Sequence, residues 1–385
     1  MRVLVAVFCC CFQIVLAQVK GQEIIAAVPN VQHEQDTIAT RYGNLITAGK
    51  LKQQLYALAS DEMEGRETAT RGQERAAAYI AKQFAEAGLK PGVNGQWLQY
   101  YTLYSDSLVH AAITIKDQHY RWGRDFWVDI RAGKNQDLQG SSVAYVDEGT
   151  EMDYLDLDVK GKVVLMKEAS LRSRNAENVL SNRVARAAGK GASALLIISP
   201  QANRFSSLGD SKQRTSGIYK KSTSKELNIY YITPAMALQL LQLGKNGNLS
   251  EQQTAKVVET PVHLVFEKQT TELHPSNVLG VVEGSDKKDE YVFITAHYDH
   301  LGKTGHTVFY GADDDASGTS AVIEMAAAFA RAKKEGHGPR RTIVFMTVSG
   351  EEKGLLGSQH YTANPVFPLA ATVTDLNIDM IGRID

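Results

Sequence analysis

Apolar side chains recur at helical spacing in three segments of the chain. From Thr47 onward, leucines lie three or four residues apart, which predicts a first helix. A second predicted helix runs from 72 to 87 and ends at Gly88, because glycine is a common C-terminal stop. A third predicted helix, rich in alanine, covers 319–333. The positions expected to face the core are Leu51, Leu55, Leu58, Ala76, Tyr79, Ile80, Phe84, Val322, Met325, Ala326 and Phe329.

Near-continuous apolar runs flank the alanine-rich helix. Residues 291–296 and 342–348 are rich in β-branched and aromatic side chains, and both predict buried strands. Buried strands separated by helices are typical of a parallel sheet that is covered on both faces. The predicted class is therefore α/β, with a mostly parallel mixed sheet between helices. Sites in such folds form beyond the carboxyl ends of the strands.

The stretch 140–260 has the pattern of a separate, smaller α+β unit inserted into this fold. Its strand and helix candidates are 143–146, 161–166, 178–188, 191–199 and 235–241, the last beginning at Thr233-Pro234. The predicted division of the chain is therefore a signal peptide at 1–17, an extension at 18–38, a first part of the α/β domain at 39–139, the insertion at 140–260 and a second part of the α/β domain at 261–385.

Composition removes several classes of protein. The chain of 385 residues has a formal net charge of −1, whereas proteins that bind nucleic acid by bulk charge show a basic excess. A hydrophobic content of 43% and a charged content of 22% are ordinary for globular proteins. We expect a folded protein with no nucleic-acid partner.

The N-terminus has the pattern of a secretory signal peptide. Arg2 precedes an apolar run from 3 to 16, and 15–17 is a small-residue cleavage site that leaves Gln18 as the new N-terminus. An uncleaved membrane anchor is the alternative, but the run is shorter than the ~20 residues of a span. We therefore expect a secreted or periplasmic protein without a membrane span after cleavage. All three cysteines lie at 9–11, so disulfides, thiolate ligands and cysteine nucleophiles are excluded from the mature chain.

Four polar clusters follow the predicted strands or open the predicted helix. They are 297–300 (HYDH), 311–318 (GADDDASG), 349–352 (SGEE) and 377–383 (NIDMIGR). Alone, each has an ordinary structural explanation: a loop histidine, a solvated glutamate pair, or aspartates that cap a helix. Together at one sheet edge, their carboxylates would repel unless cations bind. Histidine and carboxylate ligands without sulfur point first to zinc, with manganese or cobalt as alternatives.

These blocks carry a resemblance to a known family. In this order they are similar to those of the zinc-dependent aminopeptidases that include secreted bacterial leucyl aminopeptidases, relatives of glutamate carboxypeptidase and the transferrin receptor. The segment Asp61–Arg66 (DEMEGR) resembles the N-terminal signature of that family. The resemblance covers about 40–385 and implies that 140–260 is a protease-associated domain.

The resemblance implies a role for each of five acidic or histidine side chains. His297 and Asp379 would bind one Zn²⁺, Asp314 would bridge two Zn²⁺ ions, Glu352 would bind the second, and Glu351 would be the general base. The family then implies hydrolysis of N-terminal residues from peptides by a metal-bridging hydroxide.

Further details follow from the same resemblance. Asp299 would hydrogen-bond the imidazole of His297 and fix its tautomer. Asp314 is chosen over Asp313 and Asp315 by its place in the family motif, since the residues themselves do not separate the three. The peptide bond between Asp314 and Asp315 is expected to be cis.

One family feature has no counterpart in the chain. The family's fifth ligand is a histidine several tens of residues after the Asp379 motif, but the sequence ends at Asp385. His360 follows Glu352 too early for that role. We therefore expect the C-terminal part to be missing and the second zinc site to be incomplete, so that this form is inactive. The alternatives are a non-catalytic receptor-like or degenerate relative, or a single-zinc enzyme like the glutaminyl cyclases.

Overall fold

The structure is a computed structural model that describes residues 32–131, 133–168, 176–202, 215–221 and 227–383. The predicted signal peptide, with its three cysteines, lies outside the described residues. The helices of the described part are α1 (Gln32–Gly43), α2 (Ala48–Leu58), α3 (Arg71–Ala87), α4 (Ala176–Gly189), α5 (Pro234–Leu240), α6 (Gly318–Lys334) and α7 (Leu356–Ala363).

The strands fall into two main groups along the chain, separated near residue 275. Before that point lie β1 (Lys90–Pro91), β2 (Leu98–Tyr100), β3 (Leu103–Ile115), β4 (Gln118–Arg121), β5 (Phe126–Val128), β6 (Gln136–Gly140), β7 (Val143–Tyr145), β8 (Val163–Lys167), β9 (Ala194–Ile198), β10 (Thr215–Tyr219), β11 (Ile229–Ile232), β12 (Lys256–Val258) and β13 (Val262–Leu273). After it lie β14 (Ser276–Val282), β15 (Lys287–His297), β16 (Lys303–Thr304), β17 (Thr307–Val308), β18 (Arg341–Val348) and β19 (Thr372–Asn377).

The central sheet is mixed and has the order β1-β14-β18-β15-β19, with β2 also paired to β14. Strands β18 and β19 run parallel to β15 on its two sides, and β14 runs antiparallel to β18. The predicted strands at 291–296 and 342–348 are the cores of β15 and β18. The predicted α/β class is confirmed.

Helices cover both faces of this sheet because its strands are apolar on both sides. In β14, Val278 and Val282 face one core, while Leu279 and Val281 face the other. The first core packs against α2, α3 and α6, and the second against α7 and the chain near Phe367. The alternation of side chains along a strand therefore assigns each residue of β14 to one of two cores.

Helices α3 and α6 begin and end within one residue of their predicted bounds. Thr47 caps α2 by accepting a hydrogen bond from the backbone N–H of Lys50 at 3.3 Å, and Thr70 caps α3 in the same way. Helix α3 ends at Gly88, whose φ of 89° lies in the left-handed region that glycine adopts without steric cost. Helix α1 begins at Gln32, within the segment predicted to be an extension.

The region predicted as an insertion, 140–260, packs with strands that lie on both sides of it in the sequence. Its two sheets have the orders β10-β3-β13-β6, with β4 on β3, and β12-β7-β8-β9-β11-β5. One apolar core fills the space between them and includes side chains of β3, β5 and β13, so the packed unit extends over about 103–273. Leu103 and Leu273, its first and last strand residues, are directly paired. Its identity as a protease-associated domain stays a prediction.

The parallel strands end at one edge of the central sheet. β15 ends at His297, β18 at Val348 and β19 at Asn377, and α6 begins beside them. The four predicted polar clusters therefore meet at this edge. None of the helices within the described ranges is both long and apolar enough to cross a membrane.

We expect Phe345→Ala to lower the free energy of unfolding by about 3–5 kcal/mol, because Phe345 is fully buried beneath α6 and its removal leaves a cavity. Val373→Ala, on an exposed position of β19, should change it by no more than about 0.5 kcal/mol. Chemical denaturation followed by circular dichroism measures both. Equal effects of the two substitutions would contradict this placement of the core.

Candidate metal centre

The three consecutive aspartates before α6, at 313–315, make different contacts. Asp315 is fully buried, and its carboxylate accepts hydrogen bonds from the backbone N–H groups of Gly318 at 2.8 Å and Met380 at 3.2 Å. It therefore caps α6 and ties that helix to the loop after β19. The peptide bond between Asp314 and Asp315 is cis, as the family resemblance implies.

Asp313 also binds the loop after β19, through residues further along that loop. Its carboxylate accepts a hydrogen bond from the backbone N–H of Gly382 at 2.9 Å and pairs with the Nε of Arg383 at 2.8 Å. Only Asp314 of the triplet points its carboxylate at histidines. The structure thus separates three residues that the sequence alone left equivalent.

The first group of possible ligands joins His297, Asp314 and Asp379. The Nε2 atom of His297 lies 3.1 Å from Oδ1 of Asp314 and 3.8 Å from Oδ1 of Asp379. One ligand atom from each residue lies within 4.8 Å of the others, so the three could hold a metal ion. The residues predicted for the first zinc are therefore brought together, although their role as ligands stays a prediction.

The tautomer of His297 follows from its hydrogen bond. Its Nδ1 lies 3.1 Å from the backbone carbonyl oxygen of Asp299, and a carbonyl only accepts, so Nδ1 carries the proton. The Nε2 atom then faces Asp314 and Asp379. The nearest carboxylate oxygen of Asp299 lies 3.8 Å from Nδ1, so the predicted hydrogen bond from His297 to that carboxylate stays a prediction.

The Asp299 carboxylate positions its neighbours. It is fully buried, and it accepts hydrogen bonds from the Thr68 hydroxyl at 2.6 Å and from the backbone N–H of Glu351 at 3.2 Å. It thereby links the loop after β15 to the loop after β18, which carries the predicted general base. This anchoring contact is additional to the predicted role of Asp299 beside His297.

A second group of possible ligands joins His300, Asp314 and Glu352. The Nδ1 atom of His300 lies 2.8 Å from Oε1 of Glu352 and 4.0 Å from Oδ2 of Asp314. Asp314 thus presents one oxygen to each group. The predictions for the second zinc included Asp314 and Glu352 but gave His300 no role. The signal that pointed to it is a second histidine three residues after His297 in the same loop.

A buried arginine joins the two ligand-bearing loops. The side chain of Arg66 has no exposed surface and donates hydrogen bonds to the backbone carbonyls of Leu58, Tyr298, Tyr310 and Gly311 at 2.6–2.9 Å. The carbonyl of Tyr298 belongs to the loop that carries His297. The carbonyls of Tyr310 and Gly311 belong to the segment that leads to Asp314. Arg66 lies in the predicted N-terminal signature, but nothing in the sequence indicates this contact.

Negative charge dominates the centre. Burial lowers the pKa of His297, but the nearby carboxylates of Asp299, Asp315 and Glu351 outweigh burial and raise that pKa to about 9. Burial raises the pKa of Asp315 to about 7. Burial also raises the pKa of Glu351, with the Glu352 carboxylate adding to the effect. So many acidic groups in a partly dry site favour a bound cation.

His360 lies apart from both groups. It belongs to α7, where its ring stacks on that of Tyr101 with 5.3 Å between the ring centroids. Burial lowers the pKa of His360. It belongs to neither group of possible ligands among the described residues.

The chain is similar to known zinc peptidases. Residues 277–385 match the family model described as Peptidase family M28. The chain is 34% identical over 119 residues to a probable glutamate carboxypeptidase of Arabidopsis thaliana, a match that covers 31% of this chain and 16% of the relative. It is 36% identical over 116 residues to a probable zinc metalloprotease of Pyrenophora teres f. teres, covering 28% of this chain and 23% of the relative. The predicted family resemblance is confirmed, with matches that span less than a quarter of these two relatives.

A solved structure shares the fold. The aminopeptidase from Aneurinibacillus sp. strain AM-1 superposes with a TM-score of 0.53 at 20% identity, covering 91% of this chain and 73% of that one. At this identity the likeness concerns the fold. It extends the likeness beyond residues 277–385 to most of the chain.

We expect Arg66→Met to lower the free energy of unfolding by at least about 3 kcal/mol, because four buried carbonyls and the carboxylates around them lose their cationic partner. Arg75→Met is the matched control, since Arg75 is half-exposed and its ion pair with Glu64 is worth less than about 1 kcal/mol. Urea denaturation compares the two. A loss for Arg66→Met no larger than that of the control would argue against the clamp.

Proposed function

We propose that the protein is a zinc-dependent peptidase that removes N-terminal residues from peptides. One observation supports this most: two groups of possible ligands share the carboxylate of Asp314, and Glu351 lies beside them without belonging to either. A carboxylate that presents one oxygen to each group is the arrangement that two-metal hydrolases use. The similarity to zinc peptidases agrees with it.

The residues fit zinc in two respects. The donors are imidazole nitrogens and carboxylate oxygens, without sulfur, which is a set that zinc accepts in catalytic sites. Nδ1 of His300 and Oε1 of Glu352 are buried and have no hydrogen-bond partner among the described residues. Buried polar atoms without partners are rare unless an ion or water satisfies them. When bound, zinc would act as a Lewis acid and lower the pKa of a water molecule.

Glu351 would move the proton in this reaction. Its carboxylate takes a proton from the attacking water as the water oxygen forms a bond to the scissile carbonyl carbon. As the carbon–nitrogen bond breaks, the same carboxyl donates that proton to the leaving amine. The raised pKa of Glu351 brings the group nearer to the pH at which it must both accept and donate.

The acidic surroundings favour an N-terminal substrate. The free N-terminus of a peptide carries a positive charge near neutral pH, and the half-exposed carboxylate of Asp379 lies at the open side of the centre. This attraction is the reason that we propose an N-terminal substrate.

We expect Glu351→Gln to lower kcat/KM for aminoacyl p-nitroanilides by about 10²–10⁴-fold, because glutamine cannot accept the proton. The variant should keep its zinc, since Glu351 belongs to neither ligand group. Full activity of this variant would contradict the assignment of Glu351 as the general base.

Two controls define the result. Glu352→Gln should lose zinc as well as activity, as measured by metal analysis after dialysis, and a chelator should abolish activity that added zinc restores. A glutaminyl peptide serves as the second substrate. Its cyclisation without p-nitroanilide hydrolysis would favour the cyclase alternative over the peptidase.

We also propose that the protein is secreted or periplasmic, on the strength of the signal-peptide pattern at 1–17. When the gene is expressed in a bacterial host with a secretion pathway, the mature chain should begin at Gln18. Mass spectrometry of the purified protein measures this. Retention of Met1 on the exported protein would contradict cleavage at Ala17.

A further inference from the structure

We infer that Asn277, the second residue of β14, is a positioning residue for the general base Glu351. The inference rests on the proposed function, in which Glu351 moves the proton, and it adds a residue that lies outside both groups of possible ligands. Asn277 acts through the loop after β18, which begins at Ser349 and carries Glu351 and Glu352. Asn277 lies 72 residues before Ser349, so local sequence patterns do not connect them.

The side-chain amide of Asn277 joins the two ends of this loop. Its Oδ1 accepts a hydrogen bond from the backbone N–H of Ser349 at 3.3 Å, and its Nδ2 donates one to the backbone carbonyl of Gly357 at 3.0 Å. Ser349 directly follows β18, and Gly357 lies in the first turn of α7. The backbone N–H of Gly357 also donates to the carbonyl of Ser349 at 3.0 Å. One side chain therefore binds both ends of the segment that presents Glu351.

Hydrogen bonds fix the orientation of this amide. Nδ2 also donates to Oε1 of Gln99 at 3.1 Å, and Nε2 of Gln99 donates to the carbonyl of Asn364, directly after α7. A rotated amide would turn the Oδ1 of Asn277 towards two acceptors and its N–H groups towards the N–H of Ser349. Asn277 has no exposed surface, and buried polar groups without partners are costly. The two amides therefore form a buried chain that holds α7 at both ends.

The two ends of the loop are close-packed. A Cβ atom built on Gly357 would lie 2.2 Å from the carbonyl oxygen of Ser349 and 2.4 Å from Oδ1 of Asn277. Inside the loop, the carbonyl of Glu351 accepts a hydrogen bond from the N–H of Gly354 at 2.9 Å. A loop bonded in this way transmits a shift of its ends to the residue that it carries. A misplacement of about 1 Å in a reacting group can lower the rate by about 10²-fold.

A matched control lies in the packed unit of 103–273. Asn228 is also buried, its Oδ1 accepts from the backbone N–H of Lys134 at 2.8 Å, and its Nδ2 donates to Oε1 of Gln136 at 2.6 Å. Nε2 of Gln136 in turn donates to the carbonyl of Ser193 at 3.0 Å. Asn228→Leu and Asn277→Leu therefore remove the same kind of buried amide chain. Only Asn277→Leu does so beside the loop after β18.

The first measurement is the hydrolysis of aminoacyl p-nitroanilides at saturating zinc by the unmodified chain and both variants. We expect Asn277→Leu to lower kcat at least about tenfold with little change in KM, because the proton acceptor is displaced while substrate binding is kept. Asn228→Leu should keep the kcat and KM of the unmodified chain. An equal loss of kcat in the two variants, or a raised KM with unchanged kcat in Asn277→Leu, would overturn the inference and leave the proposed function standing.

The second measurement needs no catalytic activity. Hydrogen–deuterium exchange followed by mass spectrometry should show at least about tenfold faster exchange over 349–357 in Asn277→Leu, because the loop ends lose their shared partner. Exchange over β18 (Arg341–Val348) should not change. Unchanged exchange over 349–357, or equally faster exchange over β18, would overturn the inference. Failure of the unmodified chain to hydrolyse any aminoacyl substrate would contradict the proposed function and, with it, the role of Glu351 on which the inference rests.

Discussion

A single buried cation organises the loops around the candidate centre. The guanidinium of Arg66 donates to four backbone carbonyls, and its charge lies near the carboxylates of Asp299, Asp314 and Asp315. Burial lowers the pKa of Arg66 to about 10, still well above neutrality, so the group stays charged. Carboxylates can gather at the sheet edge in the absence of metal partly because this permanent positive charge lies behind them. The central sheet positions the loops, and Arg66 holds them in register with one another.

The aspartates of the centre also position the loops around it. The carboxylate of Asp299 accepts hydrogen bonds from a hydroxyl and from a backbone N–H group in the loop after β18. The carboxylates of Asp313 and Asp315 bind backbone N–H groups and an arginine in the loop after β19. Asp314 lies between two of these anchored residues, and its carboxylate reaches the histidines. A rigid polar frame of this kind is what a metal centre needs, because ligand atoms must be placed before the ion arrives.

Much of this arrangement can be predicted from the sequence, but not all of it. Local sequence patterns predict the capped helices and the apolar strands β15 and β18. A parallel sheet then predicts that the carboxyl ends of its strands lie together at one edge. The long strands β3 and β13 do not, because their exposed faces are polar and their pairing joins residues more than 100 positions apart. The sequence pattern therefore does not group these two strands with 140–260. The contacts of Arg66 and His300 escape local reasoning for the same reason: backbone carbonyls and a neighbouring loop supply their partners.

The pairing of Leu103 with Leu273 has a consequence for how the chain could have been assembled. Strands β3 and β13 lie side by side where the chain leaves and rejoins the central sheet, so the two ends of the 103–273 unit are about 5 Å apart, the usual spacing across antiparallel strands. A tight hairpin turn would bridge that gap. An insertion or deletion of this segment in the gene therefore changes the protein at one point of its surface and leaves the order of the central strands unchanged.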